Sequence, residues 1–360
     1  MDIIYARNVN DAYAEGTARI LKHGQSEPSR DGPVFVMPHP VVTVYNRPWE
    51  RVLMDPVRDA NPFFQLMESV WKLAGRRDPQ WLDRYIRKFS ERFAEEGGEM
   101  HGAYGYRWRR HFNREGSTYN QLDQFAEVAE MLRRDPTTRR AVLTMWDPVI
   151  DCNLPSRDLP CNTHVYFRAL RECDSVEFRN VDHALDITVC CRSNDAVMGA
   201  YGANAVHMSI MGEVIAGLAG MRLGTYRQVS NNFHMYERDL ANFSVTKSSG
   251  IGNEYYKEQI VAQPICGESD DPSSLEIGAK LVLSDSRCLC EALDGGEPLD
   301  MALAQHAKSD WFRDTVIPMQ RAHDAYRRGD HAGAIELLAR MPERSDWSAA
   351  GIAWIERRMK

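Results

Sequence analysis

The fold is decided by residues 159–195, which begin LPCNTHVYFRAL and end LDITVCCRSND. Apolar and polar residues alternate in both halves, and this period of two predicts two β-strands. Residues 171–182 between them are polar and predict a hairpin with a long turn. Cys161 precedes the first strand and Arg192 ends the second, so pairing of the strands would bring the thiol close to the guanidinium.

This pair suggests a nucleophile with an anion-binding partner. A cation beside a cysteine lowers the pKa of the thiol and increases the fraction of reactive thiolate. Arg192 with Ser193 also suits a phosphate or a carboxylate, because arginine presents several donors in one plane. Cys161 could instead be a buried cysteine that only packs in the core, and Arg192 could form an ion pair at the surface. The spacing of the residues alone does not exclude either alternative.

A helix and a further strand follow. Apolar residues recur at helical spacing from Val206 to Leu218, which predicts a buried helix of about four turns that ends near Gly220. Residues 226–229 predict a further strand, and residues 231–236 follow it. In an extended segment His234 and Tyr236 would lie on the same face.

The order of these motifs resembles the catalytic segment of the thymidylate synthase superfamily. The chain shows Pro160-Cys161, then Arg192-Ser193-Asn194-Asp195, then Asn204, a helix and His234-x-Tyr236. The resemblance covers about residues 60–240. It implies an α/β (α+β) fold, in which a large, mixed, twisted β-sheet is covered by helices and two copies pack sheet to sheet as an obligate homodimer.

An apolar helix precedes this segment. Asn61 suits the cap and Pro62 the first turn of a helix that ends at Gly75. Glu68 lies inside this run, where a carboxylate is paired, has a raised pKa or occupies an exposed edge. Residues 68–75 resemble the Glu-Leu-Leu-Trp-Phe-Leu-x-Gly helix of thymidylate synthases. The resemblance implies that Glu68 organises proton transfer.

Two shorter motifs extend the resemblance. Residues 102–109, GAYGYRWR, resemble Val-Tyr-Gly-x-x-Trp-Arg and imply that Tyr104 orients the water that removes the C5 proton. Residues 135–140, DPTTRR, resemble Asp-Pro-x-Ser-Arg-Arg, whose arginines reach the phosphate of the neighbouring subunit. Taken alone, these motifs are as well explained by aromatic core packing and solvated arginines. Arg30 is a candidate for an N-terminal phosphate-binding arginine.

The resemblance implies a complete set of site residues. It assigns catalysis to Cys161, Glu68, Tyr104 and Asp195, nucleotide binding to Arg139, Arg140, Arg192, Ser193, Asn204, His234, Tyr236 and Asn162, and folate binding to Asp195, Trp71 and Phe93. It also implies 5,10-methylenetetrahydrofolate as the co-substrate of a pyrimidine nucleoside monophosphate to whose C6 the cysteine adds. We expect no metal, because Cys190-Cys191 and Cys288-x-Cys290 are not spaced like zinc ligands.

Departures from the synthase pattern predict hydroxymethylation. Thymidylate synthases shield the exocyclic methylene intermediate from water with two tryptophans and an apolar C-terminal tail. Here the two places fall near Ser90 and Phe93, and the chain ends IERRMK. Water can then add to the intermediate in place of hydride. Residues 192–199, RSNDAVMG, also resemble Arg-Ser-Asn-Asp-Val-Val-Phe-Gly of deoxycytidylate hydroxymethylases.

The sequence distinguishes less clearly between uracil and cytosine as the base of the substrate. Synthases hold uracil with an asparagine, and deoxycytidylate hydroxymethylases have an aspartate in its place. Asn204 takes this position only if one residue is inserted after Gly199, since otherwise the position is Ala203. An amide can match either base edge by flipping. The motif places dCMP slightly ahead of dUMP, and the alternatives are a dUMP or CMP hydroxymethylase, a thymidylate synthase and a non-catalytic nucleotide-binding homologue.

Composition sets the remaining expectations. The 360 residues are 43% hydrophobic, which is enough for a large core, and a net charge of −7 argues against direct nucleic-acid binding. Eight cysteines, with no signal peptide and no membrane-length apolar run, predict a reduced cytoplasmic setting, the host cytoplasm for a phage protein. We expect a catalytic core at 1–245, a loop-rich extension at 246–297 and a helical appendage at 298–360. Within these parts, residues 78–97 predict a charged helix and residues 247–253 and 267–274 predict loops. Apolar residues at helical spacing on both sides of Arg328-Gly329-Asp330 predict a pair of helices. The product would serve a phage genome with altered bases or a nucleoside natural product.

Overall fold

The computed structural model describes residues 1–95, 97–112, 122–156, 158–171, 183–243, 256, 260–267, 269–296, 307–342 and 345–359. Within these residues, eight strands form one mixed sheet. The strands are β1 Asp2–Ala6, β2 Gln25–Glu27, β3 Val34–Val36, β4 Val41–Tyr45, β5 Val142–Thr144, β6 Asn162–Arg171, β7 His183–Asp195 and β8 Arg222–Tyr236. Their spatial order is β1-β4-β8-β7-β6-β5, with β3 beside β8 and β2 beside β3.

Helices cover the sheet and continue to the C-terminus. The α-helices are α1 Val9–His23, α2 Pro62–Leu73, α3 Phe89–Phe93, α4 Tyr104–Arg109, α5 Gln124–Arg134, α6 Pro148–Asp151, α7 Ala205–Leu218, α8 Glu237–Phe243, α9 Pro272–Asp294, α10 Ile317–Arg327, α11 His331–Ala339 and α12 Asp346–Met359. A 3₁₀ helix spans Pro79–Arg84, and π-helical segments span Ala196–Asn204 and Phe312–Val316. In the described part of the chain, no helix is both long and apolar enough to cross a bilayer.

The sheet has one covered and one open face. Helix α7 packs on β7 and β8 over the covered face. One row of paired residues on this face is buried throughout: Ile4, Thr43, Gln228, Val189, Val165 and Leu143. The neighbouring rows point the other way: Tyr5, Val44, Arg227, Thr188, Tyr166 and Val142, and Ile3, Val42, Val229, Cys190, His164 and Thr144. We refer to these two rows as the open face. Tyr5 is 74% exposed and Tyr166 is 48% exposed, so the helices leave these parts of the open face uncovered.

The helices and strands around residues 159–195 form as predicted. Strands β6 and β7 pair antiparallel, and residues 172–182 of the predicted turn lie outside the described residues. Asn61 caps α2, since its side chain accepts a hydrogen bond from the Phe64 amide at 3.1 Å. Helix α7 ends at Leu218, as the periodicity predicts. The strand predicted at 226–229 is part of the longer β8, which begins at Arg222 and continues to Tyr236.

Two predictions about local structure are wrong. The charged helix expected at 78–97 is broken into the 3₁₀ helix and the five-residue α3, because Lys88 between them has φ 62° and cannot continue a right-handed helix. The extension at 246–297 is not loop-rich throughout, since α9 occupies 23 of its residues. The Asp271 side chain caps α9 through the Ser273 amide at 3.1 Å. The loop predicted at 247–253 lies outside the described residues.

The C-terminal helices pack on α2 of the catalytic part. The Phe63 ring lies 5.6 Å from the Trp354 ring and 5.4 Å from the His323 ring. The Tyr85 hydroxyl donates to Gln320. The predicted helix pair around Arg328-Gly329-Asp330 corresponds to α10 and α11. Residues from β1 to α12 share one hydrophobic core, and the division into three domains stays a prediction.

Candidate active site

Cys161 and Arg192 are neighbours, as strand pairing predicts. The Arg192 Nη2 lies 3.8 Å from the Cys161 Sγ. Its Nε donates to the Pro160 carbonyl at 2.9 Å, and Nη2 also donates to the Leu159 carbonyl at 3.1 Å. The backbone just before the cysteine therefore fixes the guanidinium, whose carbon lies 5.6 Å from the centre of the Trp146 ring.

Burial decides the protonation of the nucleophile. Burial raises the pKa of Cys161, while Arg192 and, more weakly, Arg30 lower it. The carboxylates of Asp158 and Asp195 raise it further. The net pKa lies above the ordinary value, so the expected depression beside Arg192 is wrong for the resting thiol. Arg30 itself is exposed and pairs with Asp31 at 3.2 Å, and its role at a phosphate stays a prediction.

Buried polar side chains form a hydrogen-bonded chain behind Cys161. The Cys191 thiol donates to Asn162 Oδ1 at 2.8 Å, and Asn162 Nδ2 donates to Asn204 Oδ1 at 2.9 Å. Asn204 Nδ2 donates to Asn194 Oδ1 at 3.0 Å, and Asn194 Nδ2 donates to Ser230 Oγ at 2.9 Å. All five residues are buried. We refer to them as the amide chain.

The π-helical segment brings Asn204 into the amide chain. A π-helical turn holds more residues than an α-helical turn, so it absorbs the residue inserted after Gly199. Asn204, and not Ala203, therefore bonds to the other amides. Gly199 is tightly placed, since a Cβ there would lie 2.8 Å from Asn194 Oδ1. Asp195 caps the segment by accepting from two backbone amides, at 3.1 Å and 3.2 Å.

The ends of β7 and β8 place His234 and Tyr236, which are predicted to bind the nucleotide, beside Asp195. Asp195 is paired with His234 in the parallel register. The His234 ring lies 5.7 Å from the Tyr236 ring, as expected for residues on one face, and its Nδ1 is 2.8 Å from Asn232 Oδ1. Ser193 pairs with Asn232 two residues earlier. Burial raises the pKa of Asp195, while its bonds to two backbone amides and the nearby His234 oppose this shift.

Tyr104 connects the nucleophile to a buried charged cluster. Its hydroxyl accepts a hydrogen bond from the Asn162 amide at 3.3 Å, and the Lys72 Nζ lies 5.5 Å from its ring centre. Lys72 Nζ donates to Glu68 Oε1 at 2.7 Å and to His207 Nδ1 at 2.6 Å. Lys72 and His207 are not among the site residues that the sequence predicts. The available signal was a lysine four residues after Glu68 within an apolar helix.

The cluster of Glu68, Lys72 and His207 holds one ion pair and one neutral imidazole. Burial raises the pKa of Glu68, but Lys72 and, to a smaller extent, His207 outweigh the effect of burial, and the net pKa lies below the ordinary value. Burial and the Lys72 charge lower the pKa of His207 to about 3. His207 therefore accepts from Lys72 at Nδ1 and can donate from Nε2 to the Gln65 carbonyl at 3.3 Å.

Four predicted site residues make no direct polar contact with Cys161 within the described part of the chain. Trp71 is buried, and its indole N–H donates to the Asp78 carbonyl at 3.1 Å. Phe93 is 42% exposed, and Arg139 and Arg140 are exposed between α5 and β5. In the described part of the chain, no hydrogen bond or ion pair joins any of the four to Cys161. Their roles stay predictions.

The site combines a thiol with a fixed cation and an edge of amide groups. These groups suit a flat polar ring that carries an anionic substituent, because the ring can meet the amide while the anion meets arginine. Among the described residues, no group of three histidine, cysteine or acidic side chains is placed to hold a metal ion.

Comparisons with known proteins agree with this chemistry. A sequence model of the family described as thymidylate synthase matches residues 11–248. A deoxyuridylate hydroxymethyltransferase of Pseudomonas phage M6 is 37% identical over 367 residues, which cover 99% of this chain and 95% of the relative. A protein with the same description from Bacillus phage SP01 is 35% identical over 204 residues, 56% of this chain and 50% of the relative. A thymidylate synthase of Francisella philomiragia is 31% identical over 177 residues, 48% of this chain and 61% of the relative.

Proposed function

Because the chain belongs to the thymidylate synthase family, we propose that it transfers the one-carbon unit of 5,10-methylenetetrahydrofolate to C5 of dUMP and releases 5-hydroxymethyl-dUMP. The family accounts for the nucleotide and the folate. The two phage relatives described as deoxyuridylate hydroxymethyltransferases support water addition and uracil. A host cytoplasmic location stays a prediction.

The amide chain supports the use of a single base, because its hydrogen bonds fix the orientation of the Asn204 amide. After its two internal bonds, Asn204 keeps one N–H and one oxygen lone pair. Uracil presents an N–H at N3 and an oxygen at C4, whereas cytosine presents the reverse pair. Flipping Asn204 would require Asn162 to turn its NH₂ group toward the Cys191 thiol.

That thiol is a donor in this structure. Burial raises the pKa of Cys191 well above the ordinary value, so it stays protonated. Asn204 then offers one arrangement of donor and acceptor, which suits one base and not both. The names of the phage relatives favour uracil, whereas the motif at 192–199 favoured dCMP slightly.

The proposed chemistry starts at Cys161. The thiol gives up its proton as Sγ bonds to C6, Arg192 stabilises the thiolate, and the electron pair at C5 attacks the folate methylene. Tyr104 positions the water that takes the C5 proton, and the C5 substituent loses tetrahydrofolate to become an exocyclic methylene. Water adds to this carbon, and the resulting enolate expels Sγ from C6. The sum is one CH₂O unit added to the nucleotide.

Access of water to the site supports hydroxymethylation over hydride transfer. At the two places where synthases have tryptophan, Ser90 bonds to Asp83 and the Phe93 side chain is largely open to solvent. Phe93 can stack on a folate ring, whereas Trp71 is enclosed by the core. The C-terminal segment is helical, and Arg357 and Arg358 pair with one carboxylate at 2.9 Å and 2.6 Å. A held helix cannot close over the site as an apolar tail does.

The open face supports a sheet-to-sheet homodimer. Large side chains such as Tyr5 and Tyr166 project from it, and a contiguous exposed surface of this kind is typical of an interface. Arg139 and Arg140 lie just before β5, the edge strand of the same sheet. In such a dimer they can reach the phosphate bound in the partner subunit.

The test is mass spectrometry of the products from dUMP, dCMP and CMP, each with 5,10-methylenetetrahydrofolate. We expect a gain of one CH₂O unit on dUMP and none with Cys161→Ser. The same gain on dCMP would overturn the choice of base. A gain of CH₂ with dihydrofolate would make the protein a thymidylate synthase. If the wild type releases no tritium from nucleotides tritiated at C5, a binding role replaces catalysis.

A further inference from the structure

A buried ammonium group lies close to the reacting atoms. The Lys72 side chain is 6% exposed, and its Nζ is 2.7 Å from Glu68 Oε1. The Tyr104 ring separates this ion pair from the nucleophile, because the Tyr104 hydroxyl is bonded to the backbone of Asn162, the residue after Cys161. The charge of Lys72 therefore acts inside the catalytic region and not at the surface.

The position of Lys72 is unusual for the helix it belongs to. In the synthase helix that residues 68–75 resemble, phenylalanine stands where this chain has Lys72. A glutamate surrounded by apolar side chains without a cation retains its proton to higher pH. The exchange of phenylalanine for lysine therefore changes which form of Glu68 the site contains.

The other groups around the pair do not supply this charge. His207 of α7 is neutral and accepts a hydrogen bond from Lys72. Tyr104 of α4 is protonated, since burial raises its pKa well above the ordinary value. Asp158, in the segment before Cys161, is the further acidic group whose charge acts on Lys72, and its sign is negative. The His207 Nε2 lies 3.5 Å from Glu68 Oε2, and a protonated His207 would also lower the pKa of Glu68. Because the pKa of His207 is about 3, Lys72 supplies the positive charge beside Glu68 near neutral pH.

If the proposed function holds, the geometry points to Lys72 as a positioning residue that keeps Glu68 ionised to accept a proton from the water that adds to the exocyclic methylene. The water oxygen bonds to the methylene carbon, and a proton of that water passes to Glu68. The electrons of the methylene double bond move to the C4 carbonyl as an enolate. The enolate then forms the C5–C6 double bond and expels the Cys161 thiolate.

A purely structural role is the competing explanation. Lys72 joins α2 to α7, so its loss could weaken packing without any effect on protonation. A packing defect lowers the rate equally at every pH. Loss of the charge instead raises the pKa of Glu68, and the rate then falls most at low pH, where the base becomes protonated.

The experiment measures kcat for hydroxymethyl product against pH in the wild type, Lys72→Gln, Lys72→Met and Lys72→Arg. At saturation Cys161 is bonded to C6, so the acid limb of kcat reports groups of the bound complex. We expect the limb to move up by at least one pH unit in Lys72→Gln and Lys72→Met, so that the loss of rate approaches about tenfold on the acid side of the limb and disappears by pH 8. Lys72→Arg keeps the charge and should keep the wild-type limb.

An unchanged limb in folded Lys72→Gln, or an equal loss at every pH, would overturn the proposal. If the glutamine and methionine variants do not fold, infrared difference spectra of the wild type minus Glu68→Gln decide the matter. A carboxylate band at pH 6 is expected, and a carboxylic acid band would contradict it. A wild type that forms no hydroxymethyl product would instead refute the proposed function, and the infrared result would stand apart from that failure.

Discussion

Cys161 rests as a protonated thiol, because burial and two nearby carboxylates outweigh the guanidinium of Arg192. In the proposed reaction the thiolate must therefore form when substrate arrives, and an anionic substrate must not drive Arg192 away from the sulfur. The three contacts that fix Arg192 to the backbone and to Cys161 meet this need. The alternation of residues predicts the proximity of the two side chains, whereas burial depends on the whole fold and reverses the expected pKa shift.

Removal of the Arg192 charge should make Cys161 less reactive near neutral pH. We expect Arg192→Gln to raise the pKa of Cys161 further, so the pH at which iodoacetamide alkylates it half-maximally should move up. Peptide mass spectrometry measures the alkylation of Cys161 separately from that of the other thiols. Arg227→Gln on the open face is the control and should leave the midpoint in place. Equal midpoints in all three proteins would show that the guanidinium does not act on the thiol.

Asn204 should control the choice between uracil and cytosine. Asn204→Asp removes both N–H groups of the amide, one of which Asn194 accepts and the other of which a carbonyl of uracil would accept. The new carboxylate oxygen can instead accept from the exocyclic amine of cytosine. A hydrogen bond to a charged group contributes about 1.5–3 kcal/mol, so the ratio of kcat/KM for dCMP over dUMP should rise by about 10- to 100-fold. Competition between the two nucleotides measures this ratio. Asn231→Asp, at an exposed position of β8, should not change it, and an unchanged ratio in both variants would separate Asn204 from base recognition.

At the scale of elements, the π-helical segment explains an ambiguity that residue types cannot resolve. Asn204 and Ala203 compete for one position, and the choice depends on whether a turn closes with α-helical or π-helical hydrogen bonds. Apolar periodicity does predict α2 and α7, because each has a continuous buried face. The sequence did not indicate a role for Lys72, because its partner His207 is 135 residues away and the two side chains come into contact only when α2 packs on α7.

The start of α12 contains a buried carboxyl that should make stability depend on pH. Burial raises the pKa of Asp346 to about 7, and its Oδ2 accepts from the Tyr256 hydroxyl at 3.0 Å. The folded pKa exceeds that of an unfolded aspartate, so the stability that this group contributes is complete below about pH 4 and is lost as pH rises through 7.

Asp346→Asn mimics the protonated form and should remove this loss. Relative to the wild type, the variant should gain free energy of unfolding as pH rises from 4 to 8, up to on the order of 4 kcal/mol. Urea unfolding at several pH values measures the difference. Asp310→Asn, at an exposed position, is the control. A constant difference between the Asp346 variant and the wild type across this range would contradict the raised pKa.

At the scale of the whole molecule, the sites should depend on two copies of the chain. The double variant Arg139→Ala/Arg140→Ala and the variant Cys161→Ser should each be inactive. In a mixed dimer, one site combines an intact cysteine with intact arginines from the partner. Random mixing of equal amounts should therefore restore about a quarter of wild-type activity, since half of the dimers carry one complete site.

The matched control for this experiment is Arg133→Ala/Arg134→Ala at the end of α5, which should remain active alone. Sedimentation of each protein verifies that dimers form. If mixing restores nothing while mixed dimers are present, the two arginines act within their own chain or not at all. Sequence motifs identify these arginines, but only the open face indicates how a second chain could bring them to the site.

The register of the sheet also limits how this protein can change in length. A single inserted residue within a strand such as β8 would turn the following side chains from the covered face to the open face, and the mispairing would extend across its neighbours. The same insertion in the segment Ala196–Asn204 requires only one wider turn. Length variation, in evolution or in protein engineering, is therefore tolerated in this segment and resisted in the sheet, so the most adaptable backbone is the part that carries Asn204.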